Sequence, residues 1–402
     1  MERADRFTRH PSARVFDGQG RVTSAAVPGR IVGGDRPAVP ALLAAIAAPG
    51  VFRIGAEGAS PPAPGQVPML ETLTSGTSGE PRRIWRTQAS WCAGFALNAG
   101  LFGIGPGVSV AVPGRLSHSL ALYGAVEALC LGADLHLLDG LRPDRQRQAM
   151  AARDVAVCYA APAHLRLLAE AGGPPLPRLR LMLVGGSKLD PGLRAALAEM
   201  APGAQVREFY GTAEASFITL AGPDDPADSV GRPYPGVRIA LRQRDSVVEE
   251  GAVGQIWVQS PYLFTGYAND EAGAGAAVWR DGWLSVGEVG RMQGGCLFLL
   301  GRTGRMVTVA DQNVFPEAVE AVIQRLHGVM RVAVIPVADP LRGHVLIAVI
   351  RGDRAQEKLL LAAARAAFGP LIAPRRVLWR DDWPELASGK TDLAAIAREA
   401  GG

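Results

Sequence analysis

Cysteine is scarce in this chain, and the four present, Cys92, Cys130, Cys158 and Cys296, stand far apart with no C-x-x-C pair. That spacing argues against a disulfide framework or a zinc site, and for a reducing cytoplasm as the protein's home. Aromatic residues are sparse as well, at 6% of the chain within an apolar content of 48%. This is the composition of an Ala/Val/Leu-rich globular protein and not of a disordered one. A basic block is missing: the formal net charge of +4 is spread along the chain. No nucleic-acid partner is expected, and the mild positive balance leans towards anionic small molecules or an acidic protein partner. Long apolar runs are missing too. The longest, from Leu120 to Leu138, is interrupted by Glu127 and Asp134, so no membrane span is expected. Met1 to Arg14 mixes acids and bases without an apolar centre, so no secretory leader is expected. No internal repeat is visible. A length of 402 residues leaves room for two or three domains with a large core.

What the chain does have begins at Leu73-Thr74-Ser75-Gly76-Thr77-Ser78-Gly79-Glu80-Pro81-Arg82. A run of small, hydroxylated and glycine residues can fold its N–H groups and hydroxyls around a phosphate chain, because glycine lets the backbone approach closely. It lacks the lysine of the G-x-x-x-x-G-K-[ST] loop, and a plain turn before a proline is the alternative.

Around this loop the apolar pattern is organised. The first 37 residues are polar and broken by Gly and Pro, which predicts a loosely ordered entry, followed by a short helix over 38–48. Strands are expected over 108–112, 135–138, 155–160 and 179–184, and helices over 120–131, 144–153 and 164–171. Such alternation predicts an α/β domain with a largely parallel sheet. After Gly231 the pattern turns β-rich, with strands over 237–242, 255–259 and 296–300. From Thr303 onward, helices over 316–326 and 357–368 and strands over 332–337 and 345–350 predict a small α+β domain of about 100 residues. The division is therefore 1–302 and 303–402.

Several short motifs then follow in a fixed order: Arg115-Leu116-Ser117-His118-Ser119-Leu120, Leu183-Val184-Gly185-Gly186-Ser187, Phe209-Tyr210-Gly211-Thr212-Ala213-Glu214 and Gly254-Gln255-Ile256-Trp257-Val258. Next are Phe264-Thr265-Gly266-Tyr267, Gly282 to Gly290, Gly301-Arg302, Val314 to Glu320 and Ser388-Gly389-Lys390-Thr391-Asp392. Each is weak alone; the ordered set, from about Leu73 to Ile396, resembles the adenylate-forming superfamily of acyl-CoA synthetases, nonribosomal-peptide adenylation domains and luciferases. The resemblance implies a fold with a large N-terminal domain, mostly parallel sheets plus a β-rich segment, and a small mobile C-terminal α+β domain. It implies ATP and Mg²⁺ as cofactors. It also implies a two-step reaction, in which a carboxylate attacks the α-phosphate and a thiol of CoA, or a carrier protein's phosphopantetheine, then takes the acyl group.

Residue by residue, the resemblance implies that Thr74, Ser75, Gly76, Thr77, Ser78 and Gly79 hold the β- and γ-phosphates. Arg82 stands where the family usually has lysine. Gly185, Gly186, Tyr210 and Gly211 would line the nucleotide, with Thr212 beside the phosphates. Glu214 would be the Mg²⁺ carboxylate, Glu288 and Arg302 the ribose ligands, and Lys390 the catalytic lysine. His118 matches a position lining the carboxylate pocket. Four departures stand out. Ala213 replaces the usual Thr or Ser, Glu288 an aspartate, Gly304 the hinge Asp or Lys, and Asp311 a glycine near the thiol tunnel. The family also has a full subdomain before its phosphate loop, where this sequence has 73 residues. Amino-acid-activating relatives place an acid after the His118 segment; Ser117 to Gly124 has none. A fatty or aryl acid is the expected substrate, because an ammonium would be buried unpaired.

Three functions remain open from the sequence: a ligase passing the acyl group to CoA, one loading an acyl carrier protein, and a catalytically inert nucleotide-binding homologue. A dinucleotide-dependent oxidoreductase is disfavoured, since Gly103-Ile104-Gly105-Pro106-Gly107 lacks the G-x-G-x-x-G spacing.

Overall fold

The computed structural model describes residues 5–17, 39–47, 52–53, 67–73, 82–244, 246–267, 277–386 and 390–400. The chain divides into two compact units. The first comprises residues 1–189, 193–238 and 258–274; the second comprises 190–192, 239–257 and 275–402.

The first unit is built on an eight-stranded sheet. Its strands run in the spatial order Val15–Phe16, Asp134–Leu137, Ser109–Val112, Val157–Ala160, Leu181–Val184, Gln205–Thr212, Ser216–Leu220 and Arg232–Pro233. The first six are parallel and the last two antiparallel. Every residue of Asp134–Leu137, Val157–Ala160 and Leu181–Val184 is buried. Strands covered on both faces need apolar side chains at nearly every position, which is why these segments read as short continuous runs. Between them lie the helices Ser119–Leu131, Pro143–Ala152 and Pro162–Glu170, where the sequence predicts them, and Pro191–Met200, which it does not. Each of the first three has a simple boundary signal. Gly132 ends the first at φ +87, and proline opens the other two.

A smaller sheet orders Gly266–Tyr267, Arg83–Thr87, Met69–Leu73 and Phe52–Arg53. Its strand Arg83–Thr87 feeds the helix Gln88–Phe102, whose N-cap Thr87 accepts a hydrogen bond from Ser90 N at 3.2 Å.

The expectation of a loosely ordered entry is corrected for residues 5–17. Phe7 is buried with its ring 6.1 Å from Trp91 and 5.9 Å from Phe95, and its N–H donates to Gln88 Oε1 at 2.8 Å. Val15–Phe16 extends the large sheet by pairing with Leu135 and His136. The polar, Gly/Pro-broken composition hid two apolar anchors whose partners lie far along the chain. Residues 18–38 lie outside the described residues.

The second unit opens with the β-rich sheet. Its strands are Ser246–Val247, Arg238–Gln243, Val253–Gln259, Trp283–Gln293 and Val278–Arg280, with Cys296–Arg302 also paired to Trp283–Gln293. The hairpin Val307–Val309 with Gln312–Val314 follows. Ala310 and Asp311 form its tip at φ +45 and +65. Positive φ at both tip residues is the geometry that favours Asn or Gly, and Asp tolerates it better than most side chains. A three-stranded sheet, Val329–Asp339, Gly343–Gly352 and Arg376–Trp379, then packs with the helices Pro316–Gln324, Glu357–Ile372 and Leu393–Ala400. Arg305, on the short turn after Arg302, joins these parts. It bonds Glu320 at 2.9 Å, Glu317 at 3.2 Å and the carbonyl of Val334 at 3.0 Å.

All four cysteines are free thiols. Among the described residues, no helix is long and apolar enough to cross a membrane.

Candidate active site

In a parallel sheet the carboxyl ends of the strands share one edge, and ligands of open α/β sheets gather there. Three segments singled out in the sequence leave that edge of the first unit. His118 follows Ser109–Val112, Gly185 and Gly186 follow Leu181–Val184, and Thr212 to Glu214 close Gln205–Thr212.

Glu214 sits in the tight connection between Gln205–Thr212 and Ser216–Leu220. The connection is held from several sides. Thr212 Oγ1 accepts from Ala215 N at 3.1 Å, and Phe264 N–H donates to the Glu214 carbonyl at 2.7 Å. Ser216 adopts φ +58, and its hydroxyl donates to Tyr262 O at 3.3 Å. Gly211 explains the tightness: a Cβ there would stand 2.1 Å from Ser216 O, so only glycine lets the two strands pair this closely. Gly185 is constrained in the same way by a ring, since a Cβ would lie 2.4 Å from Phe209 Cζ. Phe209 in turn stacks on Phe217, with centroids 4.0 Å apart. Tyr210, on the same strand end, is buried.

The structure brings Glu214 together with two residues from the smaller sheet. Tyr267 donates its hydroxyl to Glu214 Oε1 at 3.3 Å, and Arg82 lies with its guanidinium 5.8 Å from the Tyr267 ring centroid. Pairing of Gly266–Tyr267 with Trp85 and Ile84 fixes that placement. The phosphate-loop residues Thr74, Ser75, Gly76, Thr77, Ser78 and Gly79 lie outside the described residues, as do Ser388 and Gly389. Both flanks of the loop are described, however. Leu73 ends the strand before it, and its carbonyl accepts from Ser119 Oγ at 3.1 Å. That bond ties the loop's entry to the first turn of the helix capped by His118. His118 makes no side-chain cap bond of its own. The neighbouring His164 imidazole is pushed below its ordinary value, first by burial and then by the charge of His118.

The remaining predicted residues belong to the second unit. Glu288 and Arg302 are direct partners in the ladder between Trp283–Gln293 and Cys296–Arg302, and they form an ion pair at 3.2 Å. Lys390 lies on a separate turn. Its carbonyl accepts from Leu386 N at 2.8 Å, and the adjacent Thr391 bridges to Glu385 and accepts from Trp383 Nε1 at 3.1 Å. Gly304 occupies the middle of the short turn Thr303–Arg305, with open space where a Cβ would be.

Two residues that contact the Glu214 turn carry no assignment from the sequence. Tyr267 closes the motif Phe264-Thr265-Gly266-Tyr267, which by itself assigns it no role. Arg86 had no signal in a strand that also holds Arg83 and Thr87, yet it is fully buried. It donates to the carbonyl of Ala213 at 2.7 Å and of Glu214 at 3.2 Å, and also to Ser216 Oγ. Burial holds its guanidinium down at about 10, with the charge of Glu214 working in the opposite direction.

Magnesium in nucleotide sites keeps several waters and takes one or two carboxylates together with phosphate oxygens. A single carboxylate in a fixed turn, beside a cation for the phosphates, suits that demand, and Glu214 with Arg82 supplies it. Among the described residues, no cluster of three or more His, Cys, Asp or Glu could hold a metal alone. One carboxylate in a fixed turn fits a metal that arrives with a nucleotide.

Comparisons with known proteins identify the family. Residues 30–268 match the family model described as AMP-binding enzyme, and residues 318–390 match the AMP-binding enzyme C-terminal domain. The chain is 31% identical over 336 residues to the uncharacterized acyl–CoA ligase YhfT of Bacillus subtilis, covering 82% of this chain and 68% of that one. It is 30% identical over 338 residues to a salicylyl-CoA synthase / salicylate adenylyltransferase of a Streptomyces species, covering 80% and 61%. Among solved structures, the amide bond synthetase McbA from Marinactinospora thermotolerans superposes with a TM-score of 0.73 at 31% identity, covering 83% of this chain and 69% of that one. The chain thus spans between 61% and 69% of the length of these three relatives. With one family model over the greater part of its length and a second near its end, the chain belongs to the AMP-binding enzyme family.

Proposed function

We propose that this chain is an acid–thiol ligase: it activates a fatty or aryl carboxylic acid with ATP and then passes the acyl group to the thiol of CoA. In the first step a carboxylate oxygen bonds to the α-phosphorus while the bond to the β-phosphate bridging oxygen breaks, releasing pyrophosphate. In the second, sulfur bonds to the acyl carbon and AMP leaves. Such displacement at phosphorus asks for positioning and charge neutralisation more than for covalent chemistry.

The observation that carries this reading is the Glu214 turn at the carboxyl edge of the parallel sheet. It is locked by Gly211 and joined by Tyr267 and Arg82. Bound there, Mg²⁺ supplies charge neutralisation at the phosphates. Glu214 holds it, Arg82 faces the phosphate oxygens, and Glu288 with Arg302 takes the ribose. Lys390 donates to the developing charge between carboxylate and α-phosphate, and His118 lines the acid's pocket. Residues 303–402 act as a lid that turns about Gly304, where a backbone change meets no side chain.

The test is carboxylate-dependent ATP–pyrophosphate exchange across fatty, aryl and amino acids. Exchange with fatty or aryl acids alone supports the reading; none with any acid, by folded protein, overturns it in favour of an inert nucleotide binder. The acceptor is then compared directly. Asp311 at its exposed hairpin tip brings a carboxylate where the family's glycine admits an anionic thiol donor, and McbA is named as an amide bond synthetase. Both favour a second reading in which an amine takes the acyl group. Parallel assays with CoA, an acyl carrier protein and simple amines separate the three.

A further inference from the structure

We propose that Arg86 is a positioning residue, which presets Glu214 for the metal–nucleotide complex by clamping the backbone on which that carboxylate stands. The proposal rests on the reading of Glu214 given above. Arg86 lies on the strand Arg83–Thr87, and Ala213 is 127 residues away in sequence.

One guanidinium meets three acceptors of the same turn. These are the carbonyl of Ala213 at 2.7 Å, the carbonyl of Glu214 at 3.2 Å and the hydroxyl of Ser216. Its guanidinium carbon lies 5.4 Å from the ring centroid of Trp91, in the first turn of the following helix. Arg86 is 0% exposed, and its Nε has no partner. Burying a cation without a salt-bridged carboxylate is costly, and an apolar residue of similar volume would ordinarily serve packing as well or better. The turn supplies a reason for the arginine. Ser216 holds a left-handed φ of +58 that a serine does not adopt freely. Three donors in a rigid planar fork stabilise that geometry in a way a point charge does not. The family's usual Thr or Ser is replaced here by Ala213, whose side chain offers no hydrogen bond. Its carbonyl takes the shortest of the bonds to carbonyls that Arg86 donates. Arg86 touches no reacting atom; it acts through Glu214.

The experiment uses full-length protein and four variants: Arg86→Lys, Arg86→Met, Glu214→Gln and the Arg86→Met/Glu214→Gln double. Calorimetry compares ATP affinity with and without Mg²⁺. Hydrogen exchange reads the amides of Ala215 and Phe264, which bond within and onto the turn. In wild type, Mg²⁺ strengthens ATP binding. Arg86→Met is expected to cut that gain about tenfold, as loss of a residue supporting a metal ligand does. Its affinity for metal-free ATP stays close to wild type. Arg86→Lys loses part of the gain, and the double variant loses no more than Glu214→Gln alone. Both turn amides exchange faster in each Arg86 variant. A folded variant with wild-type magnesium gain and wild-type exchange at these amides overturns the proposal. Should Arg86→Met fail to fold, Arg86→Lys decides, because it keeps the buried charge and removes only the fork. If wild type binds no ATP, the functional reading falls, and the amides still decide whether Arg86 holds the turn.

Discussion

Arg302 reaches across an antiparallel ladder to Glu288, Nη2 to Oε1 at 3.2 Å, each residue the direct backbone partner of the other. Glu288 is buried while Arg302 remains partly exposed. The pair adds little to stability by itself, because a half-exposed arginine is screened by water. Its value lies in aiming a carboxylate. If Glu288 receives ribose hydroxyls, Glu288→Gln weakens ATP binding about tenfold, the scale of one charge-assisted hydrogen bond. The same variant erases any preference of ATP over 2′-deoxy-ATP. Affinities for both nucleotides on both proteins check this, and a variant that still discriminates moves the ribose elsewhere.

Lys390 contributes its backbone to the turn through the bond from Leu386 N, so truncating its side chain leaves that bond in place. Lys390→Ala is expected to reduce pyrophosphate exchange by about 10²–10³-fold, the range for removing one donor to a developing charge. The melting temperature stays near that of wild type. Exchange at the wild-type rate removes the lysine from the chemistry.

Two glycines separate backbone from side-chain crowding. A methyl at Gly211 would meet Ser216 O at 2.1 Å, whereas one at Gly185 would meet the Phe209 ring, which can turn. Overpacking costs about 1–3 kcal/mol. Gly211→Ala should fall at or above the upper end of that range and Gly185→Ala towards the lower. Chemical denaturation midpoints rank them, and the reverse order would mean that the strands yield more easily than the aromatic stack.

Away from the edge of the sheet, Glu127 is wholly buried and accepts hydrogen bonds from Asn98 Nδ2 at 2.8 Å and from the Tyr159 hydroxyl. Burial pushes its carboxyl up to about 8 from an ordinary 4.5, against the opposing pull of those two donors. Between these values the folded chain keeps a proton that the unfolded chain has released. Glu127 therefore costs stability progressively as pH rises through that window, and the loss levels off above it. Glu127→Gln removes this slope and melts higher than wild type at pH 8.5. Thermal melts of both proteins at pH 5 and pH 8.5 test it; parallel curves would mean that the carboxyl is ionised throughout.

The legible parts of this protein were those whose reason is local. Leu181–Val184 and Val157–Ala160 are buried on both faces, so each announces itself as an apolar run. Glu214, Glu288 and Arg302 sit in short segments whose residue types follow in order. The helix Gln88–Phe102 was not legible. It buries Trp91, Cys92 and Phe95 together with Gln88, Ser90 and Asn98, so no apolar stripe marks one face. Phe7 gives no signal until Trp91 and Phe95 surround it. Tyr267 likewise depends on a partner 53 residues away, and Arg86 on acceptors more than twice as distant. Contacts of that span leave no periodic trace in a sequence.

The strand Val15–Phe16 has a consequence for the order in which the molecule assembles. Its neighbours Arg14 and Asp134 are ion-paired across 120 residues. The pairing of Val15–Phe16 can therefore form only after the strand Asp134–Leu137 has been made, whereas Phe7 packs on a helix that precedes it. Closing so long a loop is slow, and a two-residue strand returns little for it. Residues 15–16 are thus held to this sheet by few backbone bonds set against a long closure. Until they pair, the strand Asp134–Leu137 presents an open backbone edge, the kind of surface that chaperones exist to shield.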